Sequence, residues 1–175
     1  METLKSYENY PIWVVFLSNL VSLSIYALGF LVLMRLGWVV PVIYVALVLL
    51  LEFRLIRNHC VDCFYWGKTC GFGKGRLSAL FFKRGNISNF CSLRMTWKDM
   101  IPDLLVTLIP VAVGIFLLIS NFDVVILIAI LLLIILTTAG NGFIRGHLTC
   151  RFCKQKELGC PAEELFNKGK NDQIK

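Results

Sequence analysis

The chain has 175 residues, of which 57% are apolar and 17% charged, and its net charge is +7. The mean hydropathy of +0.72 is high, and the apolar share exceeds the roughly half that is usual in soluble domains. This composition excludes an ordinary soluble domain and predicts an integral membrane protein. Membrane topology and anionic lipid account for the positive charge, so we predict no nucleic-acid partner.

Four apolar runs predict four transmembrane helices, at residues 12–34, 38–56, 101–120 and 124–144. Each run is close to the roughly 20 residues that cross a hydrocarbon core of about 30 Å. The first run is longer than the apolar part of a signal peptide and little positive charge precedes it, so we expect a retained helix. Short connections after the first and third runs predict two antiparallel hairpins in an all-α membrane protein.

Six of the seven cysteines form a C-x2-C-x6-C pattern that occurs twice. The first motif and the second motif each contain three of them: Cys60, Cys63 and Cys70, then Cys150, Cys153 and Cys160. The only two histidines accompany the motifs, since His59 directly precedes Cys60 and His147 lies three residues before Cys150. Thiolates and imidazoles at short spacings are ligands of Zn2+ and, for thiolates above all, of iron–sulfur clusters. The pattern therefore predicts a metal site with six thiols, and with His59 and His147 as further candidate ligands.

Each motif follows one hairpin, so the chain divides into two repeats. We assign residues 1–75 to the first repeat, 76–99 to a basic amphipathic connector, 100–166 to the second repeat and 167–175 to a disordered tail. The connector groups apolar residues between Arg76 and Arg84, as a helix in the headgroup plane does, and it predicts contact with anionic lipid. We interpret Cys91 in the connector as a packed apolar residue rather than a ligand.

Three other features have structural interpretations. Tyr10, just before the first helix, is predicted to lie at headgroup depth. Glu52, close to the end of the second helix, is expected to reach the headgroups. The glycine-rich stretch from Gly71 to Gly75 lacks the spacing of a phosphate-binding loop and no strand precedes it, so we predict no nucleotide site.

The basic residues predict the orientation in the membrane. With both termini and the long connection on one side, only Arg35 of the 18 Lys and Arg residues lies on the other side. The positive-inside rule then places the termini and both motifs in the cytoplasm, with the helices in the cell membrane. In that reducing compartment, thiols bind metal or cycle in catalysis more often than they form structural disulfides.

Each repeat contains an even number of crossings, so a pseudo-twofold axis along the membrane normal is expected to bring the motifs face to face. Either each triplet recruits its own histidine or six thiolates share one centre, and both arrangements remain open. The doublet resembles the binuclear zinc cluster of fungal transcription factors, in which six cysteines hold two zinc ions. That resemblance covers only the six motif cysteines; it implies shared coordination and nothing about DNA.

Three functions fit these features. The first is a structural Zn2+ site that clamps the two hairpins together, and we prefer it. The second is an iron–sulfur electron-transfer or accessory subunit, with other subunits of a membrane complex as partners. The third is a thiol–disulfide oxidoreductase, similar to the four-helix, quinone-linked disulfide-forming proteins. A hydrolase is not predicted, since no nucleophile elbow or paired inward carboxylates occur, and the sequence leaves open whether the protein is an enzyme.

Overall fold

A computed structural model of the chain describes residues 6–93 and 97–161. This part of the chain is helical, and its one strand-like feature is an isolated parallel bridge between Tyr7 and Cys153. The helices are α1 (Ile12–Met34), α2 (Val39–Leu55), α3 (Lys74–Phe81), α4 (Ile87–Ser92), α5 (Trp97–Ser120), α6 (Val124–Ile135), α7 (Asn141–Phe143) and α8 (Lys154–Leu158). The predicted tail, residues 167–175, lies outside the described residues.

The described residues contain four helices long and apolar enough to cross a membrane, which confirms the predicted number. These spans are Ile12–Met34, Val39–Cys60, Ile101–Ser120 and Val124–Phe152. The second and fourth run past their predicted ends because helical hydrogen bonding continues where the hydropathy falls. α2 passes into the π-helical segment Ile56–Cys60, and α6 continues through Leu136–Gly140, α7 and Ile144–Thr149. A π-helical segment therefore leads into each motif.

α1 is the central helix of the bundle, because it packs against α2, α5 and α6. A buried cluster of Leu33, Tyr44, Val48 and Val106 joins three of these helices. The Tyr44 Oη donates a hydrogen bond to the Val106 carbonyl at 3.0 Å. Gly29 makes this approach possible, because a Cβ there would lie 2.5 Å from the Tyr44 Oη.

The two short connections lie together at one end of the bundle, which we call the turn end. Arg35 in the first connection pairs with Asp123 in the second at 2.9 Å. Asp123 also caps α6, accepting a hydrogen bond from the Val125 N–H at 2.8 Å. Both cysteine motifs lie at the opposite end, together with α3, α4, α8 and residues 6–11, and we call it the motif end.

Large apolar side chains cover the outer surface of the bundle. Phe16, Leu49, Phe116 and Leu131, one from each span, are all exposed. A soluble protein rarely leaves so much apolar surface in water, whereas helices that satisfy their own backbone hydrogen bonds tolerate it in lipid. The bundle surface is consistent with an integral membrane protein.

Candidate metal centre

The structure brings the two cysteine motifs to one cluster at the motif end. Tyr10 and Tyr65 are buried at its centre together with Val14, and three thiol-bearing residues pack against them: Cys63 and Cys70 of the first motif and Cys153 of the second. Thus residues separated by 90 positions in the sequence share one packed environment. We call this group the thiol cluster.

Tyr65 ties the first motif to the second through its hydroxyl. The Tyr65 Oη donates to the Tyr7 carbonyl at 2.5 Å and accepts from the Lys154 backbone N–H at 2.9 Å. Tyr65 is only 2% exposed, so these hydrogen bonds form away from water and hold their partners firmly. One aromatic residue between Cys63 and Cys70 therefore fixes the position of the chain beside Cys153.

The N-terminal segment 7–10 lies between the motifs, a placement that sequence reasoning missed. The Tyr7 N–H donates to the Phe152 carbonyl at 3.0 Å, and the Tyr10 N–H donates to the Thr69 carbonyl at 2.9 Å. The Tyr10 Oη donates to the Thr149 carbonyl at 2.6 Å. Tyr10 is 4% exposed and packs inside the thiol cluster, and its headgroup depth stays a prediction.

Gln155 is a second link that the sequence did not indicate. Its side chain is 2% exposed, although it lies between two lysines in a polar stretch. The Gln155 Oε1 accepts from the Phe64 N–H at 2.8 Å, and its Nε2 donates to the Gly159 carbonyl at 3.2 Å. A buried amide that satisfies backbone groups of both motifs fixes their relative position. No local sequence signal predicts such a link.

Cys91 lies at the edge of the second motif. Its Sγ donates to the Leu158 carbonyl at 3.1 Å and lies 3.6 Å from the Nε2 of Gln155. α4, which carries Cys91, is held by the first motif, since the Asn86 N–H donates to Asp62 Oδ1 at 2.8 Å. The thiol is half-buried and hydrogen-bonded, so Cys91 connects the motifs in addition to filling space.

The two histidines differ in their surroundings. The His59 ring lies 6.5 Å from the Phe90 ring, on α4, whereas the exposed His147 stacks on Phe143 at 5.5 Å. All seven cysteines are free thiols. Among the side chains that the structure describes, in residues 6–93 and 101–161, no three from His, Cys, Asp or Glu converge closely enough to hold a metal ion. The structure thus collects the thiols in one region without a preformed coordination shell.

Burial keeps the central thiols protonated. It raises the pKa of the Cys63 thiol to about 12, and the nearby thiols of Cys153, Cys60 and Cys70 add to the rise. Burial likewise raises the pKa of Cys153. The thiolate is the nucleophilic form of cysteine, so neither residue is activated for thiol–disulfide exchange in this state.

The glycine-rich stretch from Gly71 to Gly75, which we call the glycine loop, packs directly against the first motif. A Cβ at Gly71 would lie 2.6 Å from Thr149 Cγ2, and one at Gly75 would collide with the Tyr65 carbonyl oxygen. The Gly75 N–H donates to the Cys70 Sγ at 3.3 Å. The close approach of the loop backbone to Thr149 and Tyr65 explains why Gly71 and Gly75 are glycines.

Glu52 links α1, α2 and the glycine loop through its carboxylate, and its contact with the headgroups stays a prediction. It forms an ion pair with Lys74 of the glycine loop and accepts a hydrogen bond from the Tyr26 Oη at 2.6 Å. α2 ends at Leu55, and the π-helical segment Ile56–Cys60 continues the helix beyond it. Glu52 therefore lies about two helical turns before the end of the second span.

Comparison of the chain with models of known protein families, with curated proteins and with solved structures gives no match. The function therefore has to be argued from the thiol cluster and its surroundings.

Proposed function

We propose that the two cysteine motifs bind zinc at the cytosolic face of the cell membrane, and that the metal clamps the two helical hairpins together. The observation that carries this proposal is the packing of Cys63, Cys70 and Cys153, from both motifs, in one cluster. In the structure, packing, hydrogen bonds and the ion pair between Lys154 and Glu8 at 3.0 Å join the motifs. Structural zinc contributes on the order of 10 kcal/mol to folding, enough to fix loops that have little core of their own.

The donor set fits zinc in its chemistry. Six free thiols supply soft ligands, and all but Cys150 are partly buried. Loading requires the thiol side chains to turn toward a common point and to release their protons, as in any cysteine site that binds metal. His59 and His147 remain candidate ligands. The His59 ring lies beside Phe90 of α4, which is part of the connector.

The hairpins and the orientation complete the proposal. The packing of α1 on α2 and of α5 on α6 supports two hairpins, and a pseudo-twofold axis relating them is part of the proposal. The π-helical entry to each motif supports the interpretation as a repeat. The excess of Lys and Arg at the motif end favours a cytosolic position for both motifs.

α3 supplies the proposed contact with anionic lipid. It exposes three apolar side chains, Leu77, Leu80 and Phe81. Exposed basic residues flank them at Arg76, Lys83 and Arg84. A short helix with this distribution rests its apolar side chains in the membrane interface while its cations contact anionic headgroups.

A redox role for the thiols is less well supported. A thiol–disulfide oxidoreductase needs an accessible thiolate, and burial raises the pKa of Cys63 to about 12. Metal binding also requires the thiolate, but there the incoming cation itself displaces the thiol protons.

The test is the metal content and the visible spectrum of protein purified in detergent without oxygen or chelator. We expect a colourless preparation with about one to two zinc ions per chain. Iron with acid-labile sulfide would replace the zinc clamp with the iron–sulfur subunit as the function. Protein that is folded, metal-free and unable to take up zinc would overturn metal binding altogether.

A further inference from the structure

Residues 7–9, which we call the strap, are bonded to both cysteine motifs. The Tyr7 N–H donates to the Phe152 carbonyl at 3.0 Å, and the Tyr7 carbonyl accepts from the Tyr65 Oη at 2.5 Å. Tyr7 also forms the isolated parallel bridge with Cys153. A single strap residue thus joins the two motifs directly beside a thiol of the second.

The rest of the strap is fastened at the surface of the protein. The Glu8 side chain is 67% exposed and pairs with Lys154 of the second motif at 3.0 Å. The Asn9 Oδ1 accepts from the Thr69 N–H of the first motif at 3.1 Å. All three strap residues are exposed, so these contacts connect single polar groups and bury little apolar surface.

Tyr10, the next residue, is held much more firmly than the strap. It is 4% exposed, whereas Tyr7 is 37% exposed, and α1 begins two residues later at Ile12. Segments with few buried apolar contacts open locally while the packed core of a protein stays folded. We therefore expect the strap to detach between Asn9 and Tyr10, with Tyr10 and the helices remaining in place.

The Tyr7 ring covers the thiol cluster on the side of the second motif. It lies 5.3 Å from the Tyr10 ring and 5.3 Å from the Phe152 ring, and Tyr10 belongs to the buried centre on which Cys153 packs. Cys153 is half-buried beside the strap, whereas Cys150, three residues earlier, is exposed. The second motif therefore contains one thiol that the strap covers and one that serves as an internal reference.

We propose that the strap is a lid over the thiol cluster and that its opening admits a thiophilic divalent cation. The inference rests on the proposed function, to which it adds the route of metal entry. The bond from the Tyr10 Oη to the Thr149 carbonyl at 2.6 Å does not involve the strap. The same holds for the bond from the Phe64 N–H to the Gln155 Oε1 at 2.8 Å. The two motifs thus stay joined as one site while the lid is open.

The experiment compares two substitutions of Tyr7 in the reduced, metal-free full chain in detergent. Alkylation with iodoacetamide, followed by mass spectrometry, gives the reaction rate of each cysteine. Tyr7→Ala should raise the rate at Cys153 about 3- to 10-fold, the effect of losing an aromatic pair, and leave Cys150 unchanged. Tyr7→Phe keeps the ring and should leave both rates unchanged. Equal Cys153 rates in the two variants would overturn the inference.

Rapid mixing of the same proteins with Cd2+ tests the passage of metal. Sulfur-to-cadmium absorption should appear faster in Tyr7→Ala than in wild type, by the factor seen for alkylation of Cys153. Faster alkylation with an unchanged rate of cadmium binding would mean that metal enters elsewhere, and it would overturn the inference while leaving metal binding intact. No cadmium absorption in folded protein would overturn the proposed function, and the alkylation rates would still decide whether the strap is a lid.

Glu8→Gln decides the inference if Tyr7→Ala does not fold. Loss of the ion pair with Lys154 should raise the alkylation rate at Cys153 about 2- to 3-fold, the modest effect of an exposed pair. Glu157→Gln removes an exposed charge from α8, outside the strap, and is the matched control. Equal Cys153 rates in Glu8→Gln and Glu157→Gln contradict the lid.

Discussion

The two cysteine motifs have identical spacing and different surroundings. The first is enclosed by the glycine loop and carries only half-buried cysteines, while the second directly continues a long helix and leaves Cys150 exposed. The difference arises from segments outside the motifs, chiefly the glycine loop and residues 7–10. Spacing predicts which thiols lie close together along the chain, whereas contacts with distant segments decide how far each set is buried.

The largest expected effect concerns the cysteines that meet in the thiol cluster. Cys63→Ser and Cys153→Ser should each remove bound metal and lower the free energy of unfolding by about 4 kcal/mol, as expected when a metal site is lost. Metal analysis and thermal unfolding in detergent measure both quantities. Loss of all bound metal in both variants indicates one shared centre. Loss of half the metal in each variant indicates two independent sites.

A glycine pair tests the role of close backbone approach around the first motif. Gly75→Ala should destabilise the protein by about 3 kcal/mol, because the new methyl group collides with the Tyr65 carbonyl oxygen and overpacking of this kind is costly. Gly142→Ala is the control, since nothing lies within 4 Å of its Cβ position, and it should gain about 0.5–1 kcal/mol from helix propensity. Equal thermal stabilities of the two variants would contradict the packing of the glycine loop.

Gln155 tests the link between the motifs. Gln155→Leu should cost about 1–3 kcal/mol, because the Phe64 N–H loses its acceptor in a buried environment. Glu157→Gln, at an exposed neighbouring position, should leave the unfolding temperature nearly unchanged. Unaltered stability in Gln155→Leu would mean that the Gln155 amide does not help to join the motifs.

The smallest expected effect is that of the seventh cysteine. Cys91→Ser should keep its metal content and lose less than about 1 kcal/mol, since serine can also donate to the Leu158 carbonyl. Metal analysis checks the first expectation, and an unfolding curve checks the second. A fall in bound metal would make Cys91 a seventh ligand and place the second site at the end of α8.

The sequence predicted the helices because membrane spans are determined locally. Twenty apolar residues are enough to specify a helix in lipid, where the chain must satisfy its own backbone hydrogen bonds. Their continuation as π-helices was not predictable, since polar residues such as Arg57 and His59 end the hydropathy signal while the hydrogen bonding continues.

Sequence alone determined the four apolar helices and the two sets of three thiols, because both depend on residue type and short spacing. Only the tertiary structure decided that Tyr10 and Gln155 bridge the motifs and that the glycine loop enters the bundle. These placements depend on contacts between residues far apart in the chain, and no local pattern encodes which distant backbone group a buried tyrosine or glutamine will satisfy.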